Sequence, residues 1–400
     1  MADLQSQQEL EVPPSLEEAP TIVHDTGTYV HASENWIHTQ VLYLRAHSPF
    51  VFCGQLKNLD RLEWVPPYYK TFDRSLPIRA VDRLGLNMLG YRPALRWQLH
   101  RREAELLHVH FGNRGYEKIA LADKHGIPLV TSFYGFDLSL LPRLDPKWID
   151  RYNLLFDRGH RFLVEGPHMK EQLAELGCPE DKISVQHLGI EVDAFSYRPR
   201  CRQKSDPLRV LAAGRFKEKK GFPDALRAFG AFLERGGKGQ FTIVGGLRDD
   251  EQEHDAREQL KEIVRSEGIE SDVVFRSFLP HDELIDAFHE HHVLLSPSIE
   301  ASDGDNEGGA PVTLIEAAAT GMPIVSTRHC DIPEVVKHSR TGLLAEEGNV
   351  DELSRHLYDL YESSGRLESM GKKAREHVCK QHDAKKQGRR LDKIYEQIWT

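Results

Sequence analysis

Asp303-Gly-Asp-Asn-Glu-Gly-Gly-Ala-Pro-Val-Thr-Leu-Ile-Glu316 follows the apolar run Val293-Leu-Leu-Ser-Pro-Ser298 and leads through a short helical pattern to Gly321-Met-Pro323. The run reads as a short buried strand that ends in a Ser/Pro turn. Pro311 suits the first position of a helix, where its missing N–H costs nothing. The helix Val312 to Thr320 is expected to stop at Gly321, with Pro323 beyond it. An acidic loop, glycines and a helix start after a strand gather polar groups and free backbone N–H groups at the strand's carboxyl end. Open α/β sheets bind phosphorylated ligands at that place.

Outward from this stretch, strand-like runs alternate with helical patterns along the whole chain, which predicts parallel α/β architecture. Arg209-Val-Leu-Ala-Ala213, Phe241-Thr-Ile-Val244, Val273-Val-Phe275 and Pro323-Ile-Val-Ser326 are the other strands of the second half. Thr21-Ile-Val-His24, Phe50-Val-Phe-Cys53, Leu106-Leu-His-Val-His-Phe111, Pro128 to Phe133, Arg161 to Val164 and Ile183 to His187 supply the first half. The polar, Pro-punctuated stretch from Asp193 to Pro207 reads as a linker. The expected fold is two Rossmann-like doubly wound domains facing a central cleft. The expected bounds are a disordered lead-in 1–20, a first domain 21–200, a second domain 201–382, and a helix 383–400 returning toward the first domain.

Four hundred residues favour two cores over one. A net charge of −10 argues against general nucleic-acid binding. The five cysteines are scattered and lack CxxC spacing, so reduced thiols are expected. No apolar run approaches the roughly 18–20 residues that span a bilayer. Met1 to Pro20 lacks the basic and apolar regions of a secretory signal. A cytoplasmic protein is the expectation.

The second half opens with Gly214-Arg-Phe-Lys-Glu-Lys-Lys-Gly221. Arg215 and Lys220 before a helix can neutralise a diphosphate while backbone N–H groups share its oxygens. Most Lys-rich loops are only solvated turns. Two such loops at strand ends of one sheet make a nucleotide-sugar site the better reading.

Several segments then occur in a telling order: Gly214-Arg215 through Lys220-Gly221, Ile243-Val-Gly-Gly246, Leu295-Ser-Pro-Ser298, Glu307-Gly to Glu316-Ala, Gly321-Met-Pro-Ile-Val-Ser-Thr327, Ile332-Pro-Glu-Val-Val336 and Thr341-Gly-Leu-Leu344. This set resembles the retaining glycosyltransferases of family 4, which have the two-domain GT-B fold. The first half resembles them more loosely, through Ser33 to Ile37, His108-Val-His-Phe111 and Thr131-Ser-Phe-Tyr-Gly-Phe-Asp137. Within the family the chain is most similar to enzymes of bacterial exopolysaccharide and cell-surface polysaccharide assembly.

The resemblance implies that Arg215 and Lys220 hold the donor diphosphate and stabilise the leaving nucleotide, while Glu316 accepts from the ribose hydroxyls and Glu307 from the donor sugar. Gly214, Gly245, Gly246, Phe278, Leu279, Gly308, Gly309, Ala310, Pro311 and Val312 complete the implied donor site. Tyr134, Gly135, Asp137, His110 and Glu34 are the implied cleft residues of the acceptor side. The family's two acids are usually separated by seven residues; here Glu307 and Glu316 are separated by eight. Glu300 is therefore a second candidate for the first acid. Family members commonly carry histidine where this chain has Tyr134. A tyrosine with a pKa near 10 is a poor proton acceptor at neutral pH. That suits a front-face displacement in which the leaving phosphate takes the acceptor's proton.

Three metal readings compete and lose. Asp303-Gly-Asp305 has the spacing of the metal-binding acid pair in the other large glycosyltransferase fold, but that conflicts with two nucleotide-binding halves and with the Arg215/Lys220 pair, which can do the metal's work. Asp303-Gly-Asp-Asn-Glu-Gly308 begins like a calcium loop, but the position for the bidentate glutamate is Leu314. His289-Glu-His-His292 has no partnering ligand cluster nearby in sequence. No metal and no cofactor are expected beyond a UDP- or GDP-sugar as substrate.

From Tyr68 to Arg102 there are eight Lys/Arg and two acids, a balance of +6, with aromatic residues interleaved. A peripheral contact of 68–102 with anionic membrane at its inner face is one expectation; an ordinary solvated insertion is the other. The function expected overall is hexosyl transfer from a nucleotide-diphospho-sugar to a glycan or lipid-linked acceptor. A nucleotide-sugar epimerase of the same fold and a non-catalytic nucleotide-sugar-binding protein are the rivals.

Overall fold

The computed structural model describes residues 19–30, 35–58, 62, 64–72, 76–246 and 251–399. Seven parallel strands form the first sheet: β1 (Thr21–Tyr29), β2 (Ser48–Leu56), β3 (Tyr68–Lys70), β4 (Leu106–His110), β5 (Leu129–Ser132), β6 (Arg161–Val164) and β7 (Ile183–Val185). Their order is β3-β2-β1-β4-β5-β6-β7. The second sheet has six: β8 (Leu208–Ala213), β9 (Gly239–Val244), β10 (Val273–Arg276), β11 (Val293–Ser296), β12 (Ile324–Thr327) and β13 (Gly342–Ala345). Their order is β10-β9-β8-β11-β12-β13. In both sheets the strand order reverses beside the first strand, between β1 and β4 and between β8 and β11. A crevice opens at such a reversal because the flanking connections leave in opposite directions.

The strands are short apolar runs because helices cover both faces. Phe229, Phe232 and Phe241 fill one side of the second sheet with Leu353, Leu357 and Leu360. Ile315, Ala317, Ala318 and Met322 fill the other. Two features differ from the sequence expectation. β1 runs on through Asp25-Thr-Gly-Thr-Tyr29, since β2 continues to pair with it there, Thr26 opposite Cys53 and Thr28 opposite Gln55. β3 is an edge strand of three residues, too short to show any alternation.

The stretch after Phe195 is less solvated than its composition suggests. Arg200 is buried, and its guanidinium donates to the Phe288 carbonyl and the Thr320 hydroxyl, each at 2.8 Å. The chain returns at its end. Ala384 N donates to the Ile190 carbonyl at 2.9 Å, and the helix Ala384–Glu396 lays Leu391, Ile394 and Tyr395 against Ile22, Leu106, Val130 and Leu163 of the first sheet. Asp392 fastens it by accepting from the backbone N–H of Arg45 at 2.8 Å and pairing with His47 at 2.8 Å.

The first sheet has a polar seam in its centre. His24 lies opposite His108 in the β1–β4 register, and His110 is two residues further along the same face. All three are fully buried; His110 stacks on both His24 and His108, whose rings are tilted to each other. The sequence reading kept His110 for the cleft; burial in this stack places it in the core instead. Burial, then the neighbouring His47, pushes His24 down to about 3. Burial and the other imidazoles also lower His108 and His110 well below their ordinary value. The folded seam therefore stays neutral where the unfolded chain takes up protons below its ordinary histidine pKa of 6.5. Stability is expected to fall as pH drops below that value, by up to about 1.4 kcal/mol per pH unit for each such histidine. Urea unfolding at neutral pH and one to two units lower measures it; an unchanged midpoint contradicts it.

Candidate functional site

The loops that leave β8 and β11 meet at the switch point of the second sheet. Gly221 closes the first loop in the left-handed region, at φ +64, and a Cβ there would lie 1.9 Å from the Pro297 carbonyl oxygen. Only glycine permits that approach. Ile299 N then donates to the Lys219 carbonyl at 2.9 Å, so the two loops form one surface.

Three cations of the first loop stand over this surface. Lys220 Nζ pairs with the Glu307 carboxylate at 2.9 Å, and Ser298 Oγ donates to the same carboxylate at 2.8 Å. Lys219 Nζ donates to Asp305 at 3.0 Å and to the Asn306 carbonyl at 2.7 Å. Arg215 Nε donates to Glu253 at 2.8 Å. Burial alone would raise the Glu307 pKa, but Lys220 and Lys219, helped by the hydrogen bonds from Lys220 and Ser298, hold it below its ordinary value. Of the two acids considered for the first position, Glu300 points away and pairs with Arg143 at the exposed rim. Glu307 is the one that reaches Lys220.

Glu316 lies on the helix Val312–Ala319 and accepts from His281 Nε2 at 3.1 Å. That hydrogen bond is the largest reason the His281 pKa is raised. Gly245 sits 2.2 Å from the Gly214 carbonyl when a Cβ is built on it, so those two strand ends touch through glycine. Phe278 is exposed and Leu279 half-buried beyond β10. Ala310, Pro311 and Val312 form the start of the helix that carries Glu316.

The first sheet closes the other side. A Cβ at Gly308, φ +70, would lie 2.3 Å from Gly135 Cα, and one at Gly135 would lie 2.8 Å from the Glu307 carbonyl. Tyr134 is buried beside this contact, its hydroxyl 2.8 Å from His110 Nδ1. Burial, then the Glu165 charge, raises its pKa further. Asp137 does not line the cleft as the sequence suggested. It is fully buried, accepts from the backbone N–H groups of Tyr134 and Gly112, and so fixes the turn that carries Tyr134. Burial pushes its carboxyl up to about 7 against those hydrogen bonds. Glu34 lies outside the described residues.

A cavity of about 370 Å³ opens at the switch point of the first sheet, lined by Thr26, Gly27, Thr28, Phe111, Asn113, Arg114 and Phe136. Arg114 is paired with the buried Asp25. Phe136 offers an exposed ring.

Sequence reasoning missed Glu253, Lys219 and His281, which pair with or stand beside the expected residues. It also missed Glu165 and Asp331. Asp331 accepts from the backbone N–H groups of His168 at 2.8 Å and Met169 at 3.3 Å, so an acid beyond β12 caps a helix that follows β6. Glu165 has its carboxylate against Gly309, and its pKa is raised well above the ordinary value by burial, then by Asp331, Asp137 and Glu307. Its position one residue past β6 was the only signal available.

The metal readings gain nothing from this geometry. Asp303 accepts from Asp305 N at 2.9 Å and Asp305 pairs with Lys219. His291 bonds the Ala287 carbonyl and the Thr242 hydroxyl, while His292 accepts from Arg209 N. Among the described residues, one group of three ligand-type side chains lies within metal-binding reach: His24, His108 and His110. Five of its six ring nitrogens are hydrogen-bonded, to Tyr134, Tyr395, Ser132 and one another; His24 Nε2 is unpartnered.

Comparison with known proteins gives the family and the fold. A family model described as Glycosyl transferases group 1 matches residues 195–377, and one described as Glycosyltransferase Family 4 matches residues 34–194. The amylovoran biosynthesis glycosyltransferase AmsK of Erwinia amylovora is 35% identical over 264 residues, 64% of this chain and 61% of that protein. The putative colanic acid biosynthesis glycosyltransferase WcaL of Escherichia coli is 31% identical over 288 residues, 71% of this chain and 68% of that protein. The chain thus spans about two thirds of the length of these relatives. Among solved structures, Anabaena HepE in complex with UDP superposes with a TM-score of 0.76 over 94% of this chain and 100% of that one, at 15% identity. A glycosyltransferase of Rickettsia africae superposes with a TM-score of 0.74 over 96% and 99%, also at 15% identity. The fold is GT-B.

Gly221→Ala is expected to destabilise the second half by about 2–4 kcal/mol, since it combines a strained φ with a backbone clash. Denaturant unfolding followed by far-ultraviolet circular dichroism measures this; a change within about 0.5 kcal/mol would show that the two loops are not sewn together there.

Proposed function

The chain belongs to the group 1, family 4 glycosyltransferases, and from that premise we propose that it transfers a hexosyl group from a nucleotide-diphospho-sugar to a glycan or lipid-linked sugar, with retention of anomeric configuration. The observation that carries this reading is the Lys220–Glu307 pair, on the loop that also carries Arg215, at the strand-order reversal of the second sheet. Lys220 and Arg215 supply the positive charge that a departing nucleoside diphosphate needs. Fixed cations there lower the barrier electrostatically, without a metal. In the free protein Glu307 occupies Lys220. A bound donor diphosphate takes over the ammonium and leaves the Glu307 carboxylate for hydroxyls of the donor sugar.

The acceptor enters from the cavity around Thr26, Asn113 and Arg114, with the exposed Phe136 ring as a face for the sugar. Tyr134 has a raised pKa and Asp137 is engaged by backbone, so neither supplies a ready base. The proton balance then closes on the donor. The acceptor oxygen bonds to the anomeric carbon on the face from which the phosphate oxygen leaves, and that phosphate oxygen takes the acceptor's proton. AmsK and WcaL are named for amylovoran and colanic acid biosynthesis, which supports a surface or exopolysaccharide acceptor. The likeness to HepE with UDP supports a UDP-sugar donor, with GDP-sugar the alternative. Such donors place the reaction in the cytoplasm.

Arg215→Ala and Lys220→Ala are each expected to lower kcat by about 10²–10³, and Glu316→Ala to raise the donor KM. Near-wild-type transfer by all three would refute the site. Incubation with donor alone, followed by product analysis, separates transfer from epimerisation. Donor binding should also depend on pH. Protonated His281 holds Glu316, so affinity is expected to fall as pH drops through the raised His281 pKa. Calorimetry with UDP should show this loss, and His281→Gln should flatten it; a pH-independent Kd in the parent protein contradicts it.

A further inference from the structure

Half of the large apolar side chains exposed among the described residues, eight of sixteen, lie between Tyr68 and Trp97. Most belong to the helix Leu76–Leu89, which follows the edge strand β3. Pro77, Val81, Leu84 and Met88 recur at intervals of four, three and four, which places them in one stripe along the helix. Their exposure is high; Met88 is 73% exposed, and Leu76 at the helix start 77%. The helix rests on its neighbour Pro93–Arg101 by a narrow contact: a Cβ at Gly85 would lie 2.3 Å from the Pro93 ring, and Asp82 accepts from Ala94 N at 2.8 Å. The stripe is therefore left uncovered by the fold.

The charges around it all have one sign. Between 76 and 102 there are six arginines and one acid, Asp82, which is buried in that contact. Arg79 and Arg83 flank the stripe, and Arg101 stacks over the half-exposed Trp97 at 5.1 Å. This concentration stands out in a chain of net charge −10. A symmetric contact with a second copy would set six arginines against six, at a repulsive cost. An apolar stripe rimmed by arginine and an exposed tryptophan matches a bilayer surface with anionic headgroups. At 14 residues the helix is about 21 Å long, too short to span.

We propose that the helix Leu76–Leu89, with Trp97 and the arginines beside it, lies on an anionic lipid surface. Its position suits the cavity of the first sheet. Phe72, just before this helix, packs 3.1 Å from a Cβ built on Gly54, which also touches the carbonyl of Gly27 in the cavity wall. A bilayer under this face holds a lipid-borne sugar beside the cavity mouth.

Sedimentation of the whole chain with phosphatidylcholine vesicles, with and without phosphatidylglycerol, tests the proposal. Binding is expected to be at least about tenfold stronger with the anionic lipid and weaker at high salt. The double variant Leu84→Glu, Met88→Glu should abolish it while leaving UDP binding unchanged, since both side chains are exposed and neither belongs to the donor loops. Arg79→Gln with Arg83→Gln should lessen the preference for phosphatidylglycerol. Absence of binding to anionic vesicles, or equal binding to neutral ones, overturns the proposal. So does a dimer in light scattering that the glutamate pair converts to monomer, because a second copy then covers the stripe.

Discussion

The site depends on backbones approaching where side chains are missing. Gly221 lets the loop after β8 lie on Pro297, and Gly308 and Gly135 let the loops of the two sheets touch. Any Cβ at these positions would push apart the surfaces that bring Lys220, Glu307 and Tyr134 together. The glycines thus do for the cleft what apolar packing does for each sheet: they set the distance at which charges act. At that distance the cleft is water-poor, so each carboxylate must find a partner or a proton. Glu307 finds Lys220 and Ser298. Glu165, facing Asp331, Asp137 and Glu307, has no cation to offset burial, and its pKa rises instead.

This electrostatic division has a chemical consequence. Lys220 and Lys219 hold the Glu307 carboxylate below its ordinary value on the second-sheet side of the cleft, whereas burial raises the pKa values of Glu165 and Asp137 on the first-sheet side and of Asp331, which reaches across to them. On the proposed reading an incoming diphosphate would exchange with Glu307 for Lys220, one anion replacing another beside the same cation. Were Glu165 fully ionised, the same exchange would press three carboxylates together.

Much of the fold was legible because parallel strands buried on both faces leave uniform apolar runs, and Gly or Pro marks their ends. The placement of Arg215, Lys220 and Glu316 was legible for a related reason. The first two lie in the loop that leaves β8 and the third on the short helix that follows β11, close in sequence to the strands that position them. What escaped reading joins elements distant in sequence. Asp331 caps a helix that begins at Pro167, 164 residues earlier, and Glu253 reaches Arg215 from the helix Glu251–Ser266. Asp137 was misplaced for the opposite reason. A short acid after Phe-Tyr-Gly-Phe looks like a cleft residue, but two unpaired backbone N–H groups nearby claim its oxygens first. His110 was misplaced because the end of β4, where a cleft residue would stand, is as buried as the rest of the strand.

That seam of histidines has a place in the design of the two halves. From Tyr134 at the cleft, hydrogen bonds pass to His110 and from His110 to His24, whose ring packs on His108; His108 in turn bonds Tyr395 on the returning C-terminal helix. An apolar core would bury more cheaply, since each neutral imidazole gives up water for one or two hydrogen bonds. What the polar line adds is direction. His108 and His110, held at both nitrogens, each have one orientation and one partner set, whereas a leucine in either place would accept several. The loop that carries Tyr134 and the helix that closes the chain are therefore referred to the same row of side chains. A shift of the returning helix must reach the cleft through Tyr395, His108 and the stacked rings, or leave a buried nitrogen without a partner.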